Sequence, residues 1–176
     1  MAFSVPDHYF ESFSEITAEF LKEQGIRCVL CDIDNTLVTY DDATPTEAVT
    51  AWLDSLKAAD ITVIFLSNNS EERVKIFAEG LPNPWYAPAS KPITKTAKKA
   101  LATHGFTKEE TATLGDQIFT DVWTGNFLKV KLTLLVPPIK DKTSLFFKTK
   151  RLLEKPFLSS YRRRQKRASA KKGETK

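Results

Sequence analysis

The sequence predicts an α/β fold, a doubly wound, Rossmann-like parallel sheet with helices on both faces. Two observations lead to this prediction. Short runs rich in β-branched residues alternate with amphipathic helical segments along most of the 176-residue chain, which is the pattern of βαβ units. Polar residues directly follow three of those runs, at the edge where parallel sheets place their ligands.

The elements can be assigned in order from hydrophobic periodicity. An amphipathic first helix is predicted because apolar residues recur at helical spacing from Tyr9 to Leu21, and it should end at Gly25. Strands are predicted at about 28–33, 61–66, 85–86, 111–114 and 132–136. Further helices are predicted at about 46–59, after Ser70, at about 93–104 and at about 118–127.

Charge divides the chain into two predicted parts. Residues 1–139 carry 12 Lys/Arg and 19 Asp/Glu, a net charge of −7, and residues 140–176 carry 14 and 3, a net charge of +11. We therefore predict one folded domain over residues 1–139, including the first helix, and a basic amphipathic tail over residues 140–176. An acidic domain argues against a nucleic-acid-binding core, whereas a basic tail favours an anionic partner.

The two cysteines, Cys28 and Cys31, have the C-x-x-C spacing of some redox motifs. Both lie in a buried strand, however, where residues three apart point to opposite faces. We interpret them as free, packed thiols, which suits a reducing cytosol. The N-terminus has no basic, apolar signal segment and no window is long and apolar enough to span a membrane, so a cytoplasmic protein is expected.

Four aspartates lie near the carboxyl ends of predicted strands: Asp32 and Asp34 after the first, and Asp116 and Asp121 after the strand at 111–114. Phosphoryl transfer needs a nucleophile, a charge-offsetting metal and a proton donor. Asp32 is interpreted as the nucleophile, and Asp34 as the acid for the leaving alcohol and later the base for water. Mg²⁺ prefers oxygen ligands, here Asp32, the Asp34 main-chain carbonyl, Asp116 and, directly or through water, Asp121.

Three more residues are predicted to bind the phosphate group. Ser67 follows the strand at 61–66 and can donate a hydrogen bond to a phosphate oxygen, as can the main-chain amide of Asn68. Lys91 precedes a predicted helix and can neutralise phosphate charge. The structural alternatives are a helix cap for Ser67, a turn former for Asn68 and a surface lysine for Lys91. The set predicts a magnesium-dependent phosphomonoester hydrolase.

This constellation resembles the haloacid dehalogenase (HAD) superfamily of phosphatases, whose four motifs occur here in order as Asp32-x-Asp34-x-Thr36, Ser67, Lys91 and Gly115-Asp116 with Asp121. A closer resemblance is to the YqeG-type phosphatases of subfamily IIIA, which include phosphatidylglycerophosphate phosphatases. It is carried by residues 32–38, 67–69, 91–92, 115–117 and 120–121. The resemblance implies an aspartyl-phosphate intermediate, Mg²⁺ and a phosphatidylglycerophosphate substrate. The family pattern would place a glycine near Lys129.

The spacing of the motifs predicts that the domain is capless. Only 26 residues separate Asp34 from Ile61, and 23 separate Ser67 from Lys91. Neither segment is long enough for a cap domain of the kind that HAD enzymes often insert. An open site suits a large substrate or one presented on a surface, such as a lipid head group or a protein.

The tail leaves several interpretations open. Leu145, Phe146, Leu152 and Leu153 recur at helical spacing, and a basic cluster follows at 162–167. Such a segment can lie on an anionic membrane as a peripheral anchor, or its apolar residues can dock on the domain. Nucleic-acid binding is the least favoured alternative. Alternatives for the whole protein are a phosphatase of soluble esters or phosphoproteins and a non-catalytic phosphate- or RNA-associated module.

Overall fold

Six parallel strands form one sheet in the computed structural model, which describes residues 5–140. The strands lie in the order β1-β6-β5-β2-β3-β4. They are β1 (His8–Tyr9), β2 (Cys28–Cys31), β3 (Thr62–Leu66), β4 (Trp85–Tyr86), β5 (Thr111–Gly115) and β6 (Leu132–Leu135). The α-helices are α1 (Ala18–Glu23), α2 (Glu47–Ala58), α3 (Glu71–Ala78), α4 (Lys95–His104) and α5 (Trp123–Leu128). The predicted α/β parallel sheet is confirmed.

The direction of winding reverses at β2. From β2 the chain proceeds to β3 and β4 on one side, and then crosses back to β5 and β6 on the other. The reversal leaves a crevice between the carboxyl ends of β2 and β5, which is where open α/β sheets bind ligands. Asp32 follows β2 and Asp116 follows β5, so two of the predicted site residues lie at this crevice.

The two faces of β2 enter different apolar cores. Val29 and Cys31 pack with residues of α2 and α3, and Cys28 and Leu30 pack with residues of α4 and α5. This alternation arises because successive strand side chains point to opposite faces. Both thiols are free and fully buried, and burial is the main cause that raises the pKa of Cys28 to about 12. The interpretation as packed thiols is confirmed.

Helix starts follow the capping signals in the sequence. The side chains of Thr46 and Ser70 accept hydrogen bonds from main-chain amides in the first turns of α2 and α3, which satisfies donors that have no partner inside a helix. The predicted helix over about 118–127 consists of a π-helical turn at Ile118–Val122 and then α5. Lys129 ends α5 in the left-handed conformation, with φ of 59°. This backbone favours glycine, and it accounts for the glycine that the family pattern would place here.

The prediction of one amphipathic helix from Tyr9 to Leu21 is wrong. His8 and Tyr9 instead form edge strand β1, and only residues from Ala18 onward form α1, capped by Thr17. Asp7 draws this segment to the sheet, because its carboxylate accepts hydrogen bonds from the Thr133 amide and hydroxyl, both at 2.9 Å. Pairing with β6 therefore outweighs the helical spacing of the apolar residues.

The described part of the chain agrees with the prediction of a capless domain. Between β2 and β3 it holds one loop and α2, and between β3 and β4 it holds α3, so residues 5–140 include no separate cap. In that same range no helix is both long and apolar enough to cross a membrane. The predicted tail lies outside the described residues except for Lys140, so its alternatives stay predictions. Lys140 itself is close to the loop after β2, because its carbonyl accepts a hydrogen bond from Asn35 Nδ2 at 2.9 Å.

Candidate active site

Three carboxylates meet at the crevice between β2 and β5. Asp32, Asp116 and Asp121 each offer an oxygen that lies within 4.8 Å of the other two, and all three residues are buried. Asp121 reaches the crevice from the π-helical turn after β5. Carboxylates are seldom buried unless they are paired or bind a metal, so this cluster is the unusual feature of the sheet edge.

Lys91 links two of these carboxylates. Its Nζ atom donates to Asp32 Oδ1 and to Asp121 Oδ1, each at 2.6 Å, with only 4% of its side chain exposed. Burial lowers the pKa of Lys91, but the carboxylates of Asp121 and Asp32 outweigh it and hold this pKa above its ordinary value. The ammonium therefore stays charged and fixes the orientation of Asp32.

Burial makes the carboxyl groups of the cluster weaker acids than usual. It is the largest influence on Asp32 and raises the pKa of that carboxyl to about 7, with Lys91 opposing the shift and Asp121 adding to it. Burial, followed by the charges of Asp121 and Asp32, also raises the pKa of Asp116 well above its usual range. Three carboxyl groups face one ammonium, so a further cation would favour their ionised forms.

The donor set fits a divalent metal ion. Asp32, Asp116 and Asp121 supply only carboxylate oxygens, which hard cations prefer, and their mutual distances allow one ion to contact all three. Lys91 cannot be a ligand while it is protonated. Asp121 Oδ2 is itself held by the Gln117 amide and the Thr120 hydroxyl, both at 3.1 Å, so the cluster is preorganised.

A glycine makes room for Asp121. A Cβ atom placed on Gly115 would lie 2.1 Å from Asp121 Cγ and 2.3 Å from its Oδ2. No pair of atoms packs that closely, so only glycine allows Asp121 to reach the cluster. The Gly-Asp pair of the fourth motif thus has a steric basis at Gly115.

Asp34 lies beside this cluster and has its own partners. Arg73 Nη2 donates to Asp34 Oδ1 at 3.0 Å, and Asn69 Nδ2 donates to Asp34 Oδ2 at 3.0 Å. Sequence reasoning did not single out Arg73, and it assigned no role to the side chain of Asn69 beyond that of a turn former. The one available signal was a cation in the first turn of α3, where the helix dipole disfavours positive charge.

The residues after β3 contact the loop that holds Lys91. Asn68 Nδ2 donates to the Lys91 carbonyl at 2.9 Å, and its Oδ1 accepts from the Lys91 amide at 2.6 Å. The Asn68 side chain therefore stabilises the position of Lys91. Ser67 is buried, and its hydroxyl accepts from the Asn69 amide at 3.1 Å. The substrate-binding roles of Ser67 and Asn68 stay predictions. Because the Asn68 side chain is bonded to Lys91, its main-chain amide would be the group that binds phosphate.

Tyr40 is a further residue that sequence reasoning missed. It is half-buried, and its pKa is raised by burial first and then by the negative charges of all four site aspartates. The phenol is therefore close enough to these acids for their charges to act on it. A tyrosine in a loop of polar residues gives no signal in the sequence by which this position could have been found.

A sizeable groove lies away from these acids. It is a groove of about 630 Å³ lined by residues before β2 and β3 and after α3, among them Arg27, Lys57 and Pro82. These residues are at the amino ends of the strands, and none of the site aspartates lines the groove. Buried charge, rather than cavity volume, locates the chemistry of this protein.

Two solved structures share the fold. A protein of Listeria monocytogenes serotype 4b is 16% identical, with a TM-score of 0.55 over 68% of this chain and 85% of its own. The cobalt-bound deoxy-D-mannose-octulosonate 8-phosphate phosphatase YrbI of Haemophilus influenzae is 19% identical, with a TM-score of 0.53 over 73% and 77%.

The sequence also has a nearer relative. The chain is 35% identical to the probable phosphatase YqeG of Bacillus subtilis (strain 168) over 162 residues, which are 92% of this chain and 94% of the relative. No model of a protein family matches the chain. At this identity and coverage the chain belongs to the YqeG family of HAD-type phosphatases, and the predicted family is confirmed.

Proposed function

We propose that this protein hydrolyses phosphate monoesters through an aspartyl-phosphate on Asp32. The observation that carries the proposal is the buried Asp32 carboxylate, held at 2.6 Å by Lys91 and clustered with Asp116 and Asp121. A carboxylate fixed in this way can act as a nucleophile. Ser67, Lys91 and the main-chain amide of Asn68 would bind the phosphate oxygens.

The reaction would proceed in two steps. An Asp32 oxygen attacks phosphorus, the bond from phosphorus to the leaving oxygen breaks, and Asp34 gives that oxygen its proton. Water then attacks the phosphorus of the aspartyl-phosphate, Asp34 takes the proton of that water, and inorganic phosphate leaves while the Asp32 carboxylate is restored. Asp32, the Asp34 main-chain carbonyl, Asp116 and Asp121 would hold Mg²⁺, which offsets the negative charge of nucleophile and phosphate.

Mixing the full chain with a ³²P-labelled monoester and quenching in acid tests this chemistry. We expect label bound to the protein in Mg²⁺, none after EDTA treatment, and its return when Mg²⁺ is restored. Asp34→Asn should retain or increase the labelled fraction, since hydrolysis of the intermediate needs a base. Turnover without any covalent label, in wild type and in Asp34→Asn alike, would contradict the mechanism.

For the substrate, we propose phosphatidylglycerophosphate, with the protein cytoplasmic and peripheral to the membrane. Support comes from the family resemblance and from the absence of a cap between β2 and β4 in the described chain. The position of Lys140 adds to it, because the basic residues 141–176 continue from a point beside the loop after β2. A basic segment at the rim would bring an open site to an anionic surface, at about 1 kcal/mol for each basic residue near that surface.

The substrate proposal is tested by comparing phosphatidylglycerophosphate in mixed micelles with soluble sugar phosphates, nucleotides and phosphopeptides. We expect the highest kcat/KM for the lipid. Replacing the three arginines at 162–164 with glutamine should lower lipid turnover and its salt dependence, because surface attraction is screened by salt. The matched control replaces the exposed Lys95, Lys98 and Lys99 of α4 and removes the same charge. Equal losses in both variants would show that net charge, not the tail, matters.

A further inference from the structure

Arg73 occupies an unfavourable position in helix α3. Ser70 caps the helix, and Glu71 and Glu72 lie in its first turn, where negative charge interacts well with the helix dipole. Arg73 lies in the same turn, since its amide donates to the Ser70 side chain, and its positive charge is disfavoured at that end. The helix dipole therefore does not explain this arginine. Its Cζ atom lies 6.0 Å from the centre of the Phe77 ring in the same helix, and its polar contacts lie at the site.

Those contacts join two separate parts of the site. Arg73 Nη2 donates to Asp34 Oδ1 at 3.0 Å and to the Asp42 carbonyl at 2.6 Å, while Nη1 donates to the Ala43 carbonyl at 2.8 Å. Only 16% of the Arg73 side chain and 6% of the Asp34 side chain are exposed. The donors of a guanidinium are fixed in one plane and can serve several acceptors in a defined arrangement, whereas the donors of an ammonium rotate freely.

The two carbonyls belong to a short loop, residues 39–43, that we call the rim loop. Within it the Asp42 carboxylate accepts from the Thr39 amide at 3.0 Å and from the Thr39 hydroxyl at 2.7 Å. The rim loop also carries Tyr40, whose phenol is near the site aspartates. Arg73 thus holds the Asp34 carboxyl and the rim loop in one arrangement, while Asn69 holds the second oxygen of Asp34.

We propose that Arg73 is a positioning residue, which aims the Asp34 carboxyl at the leaving oxygen and keeps the rim loop against it. This inference rests on the proposed role of Asp34 as general acid. General acid–base catalysis contributes about 10²–10⁴-fold, and it depends on hydrogen-bond reach to the leaving oxygen. Without Arg73, the Asp34 carboxyl keeps only its hydrogen bond to Asn69 and is no longer fixed in the direction of the leaving oxygen.

A loss of proton donation should depend on the leaving group, whereas a purely structural defect should not. An alkoxide leaves poorly unless it is protonated, whereas p-nitrophenolate leaves without a proton. Loss of Arg73 should therefore reduce kcat/KM more for an alkyl phosphate than for an aryl phosphate. The parameter kcat/KM is the right one, because it reports the steps up to the first irreversible one and excludes later hydrolysis of the aspartyl-phosphate.

The experiment measures kcat/KM for glycerol 2-phosphate and for p-nitrophenyl phosphate with the full chain in Mg²⁺. We expect Asp34→Asn to lower the alkyl-to-aryl ratio by about 100-fold, Arg73→Ala to lower it by at least about tenfold, and Arg73→Lys to recover part of that loss. Adding Arg73→Ala to Asp34→Asn should change the ratio no further. The matched control is Arg27→Ala, since Arg27 pairs with Glu110 at 3.3 Å with 68% of its side chain exposed, and it should leave the ratio unchanged.

The possible results separate the two proposals. If Asp34→Asn lowers the ratio and Arg73→Ala leaves it unchanged, the inference about Arg73 is overturned and the proposed function stands. If Asp34→Asn itself leaves the ratio unchanged, its role as acid fails and the inference fails with it. Thermal melting of each variant identifies any that do not fold, and Arg73→Gln, which keeps an amide donor, then replaces Arg73→Ala with the same expected loss.

Discussion

The two ends of the parallel sheet differ in where they place charge. At the carboxyl ends, Asp32 and Asp116 are buried beside Lys91, and burial raises the pKa of both carboxyls. At the amino ends, the half-buried Glu110 pairs with Arg27, which is exposed to solvent. Hydrogen bonds from the Thr107 amide and hydroxyl, with Arg27 adding to them, lower the pKa of Glu110. The groove is at the amino ends, yet the buried carboxyls with strongly raised pKa values are at the carboxyl ends.

The two ends differ in what their charged groups cost the folded protein and in what they can do chemically. An ion pair at the surface, such as that of the exposed Arg27 with Glu110, contributes little to folding and costs little to form. The buried cluster is costly, because each charge must lose its water. Such an arrangement is expected where perturbed groups serve a reaction, and substitutions at the two ends should therefore have different consequences.

The largest difference is expected for matched aspartate substitutions. Asp32→Asn should lower kcat by more than about 10⁴-fold, because an amide cannot replace the attacking carboxylate. Asp54→Asn, in the groove at the amino ends, makes the same chemical change and should leave kcat within about twofold. Steady-state assays with p-nitrophenyl phosphate measure both. Comparable activity in the two variants would remove the distinction between the ends.

A second pair of variants separates activity from stability through glycines. Gly115→Ala places a methyl group against the Asp121 carboxyl and should lower kcat/KM by about 100-fold, since small displacements in a catalytic site have effects of that size. Gly80 lies by the groove with φ of +78° and open space around its Cβ position. Gly80→Ala should cost about 1 kcal/mol of unfolding free energy and retain activity.

Assays of kcat/KM and urea unfolding of both glycine variants provide the check. The expected pattern is a large kinetic effect at the carboxyl ends and a modest thermodynamic effect at the amino ends. A fully active Gly115→Ala enzyme would mean that Asp121 moves without consequence and is not part of the working site.

The third prediction concerns pH and the buried cluster. A metal-free protein retains a proton on Asp32 up to a pKa of about 7, whereas the unfolded chain releases it near pH 4. The folded state therefore binds more protons between those values, and the stability of the metal-free protein should fall as pH rises through this window. Metal binding displaces the proton, so stabilisation by the metal should increase with pH through this window, and the raised pKa of Asp116 acts in the same direction.

Melting temperatures of the full chain with EDTA and with Mg²⁺, measured from pH 5 to pH 8, check this dependence. The difference between the two curves should be smallest at pH 5. Asp116→Asn provides the control, because it removes one proposed ligand and should reduce the difference at every pH. A difference that is largest at pH 5 would contradict proton displacement at this cluster.

The sequence predicted the central crevice well for a physical reason. Parallel strands end at a common edge, so recognising β2 and β5 was enough to bring Asp32 and Asp116 together. Burial of adjacent apolar runs determines those strands locally. The same reasoning placed Asp121, because it follows Asp116 within one short turn.

The features that sequence reasoning missed depend on tertiary contacts. Arg73 contacts both Asp34 and the carbonyls of the rim loop, and no periodicity in the sequence encodes that arrangement. Tyr40 belongs to the same loop, and its distance from the acids likewise depends on how the loop folds. The first helix was predicted wrongly because Asp7 pairs with Thr133, 126 positions away, and such a contact outweighs local helical spacing.

The smallest effect is expected at Lys129, where the sequence departs from the family pattern. Lys129 is exposed and has φ of 59° at the end of α5. A non-glycine residue in this conformation costs about 1–2 kcal/mol, whereas glycine adds about 0.5–1 kcal/mol of lost conformational freedom on folding. Lys129→Gly should therefore stabilise the protein by roughly 0.5–1 kcal/mol.

Lys131→Gly, two residues on and also exposed but with no positive φ, is the control and should be neutral or destabilising. Urea unfolding of both variants measures the difference, and kcat should stay unchanged in Lys129→Gly. A loss of stability in Lys129→Gly would show that contacts of the lysine side chain outweigh the backbone strain.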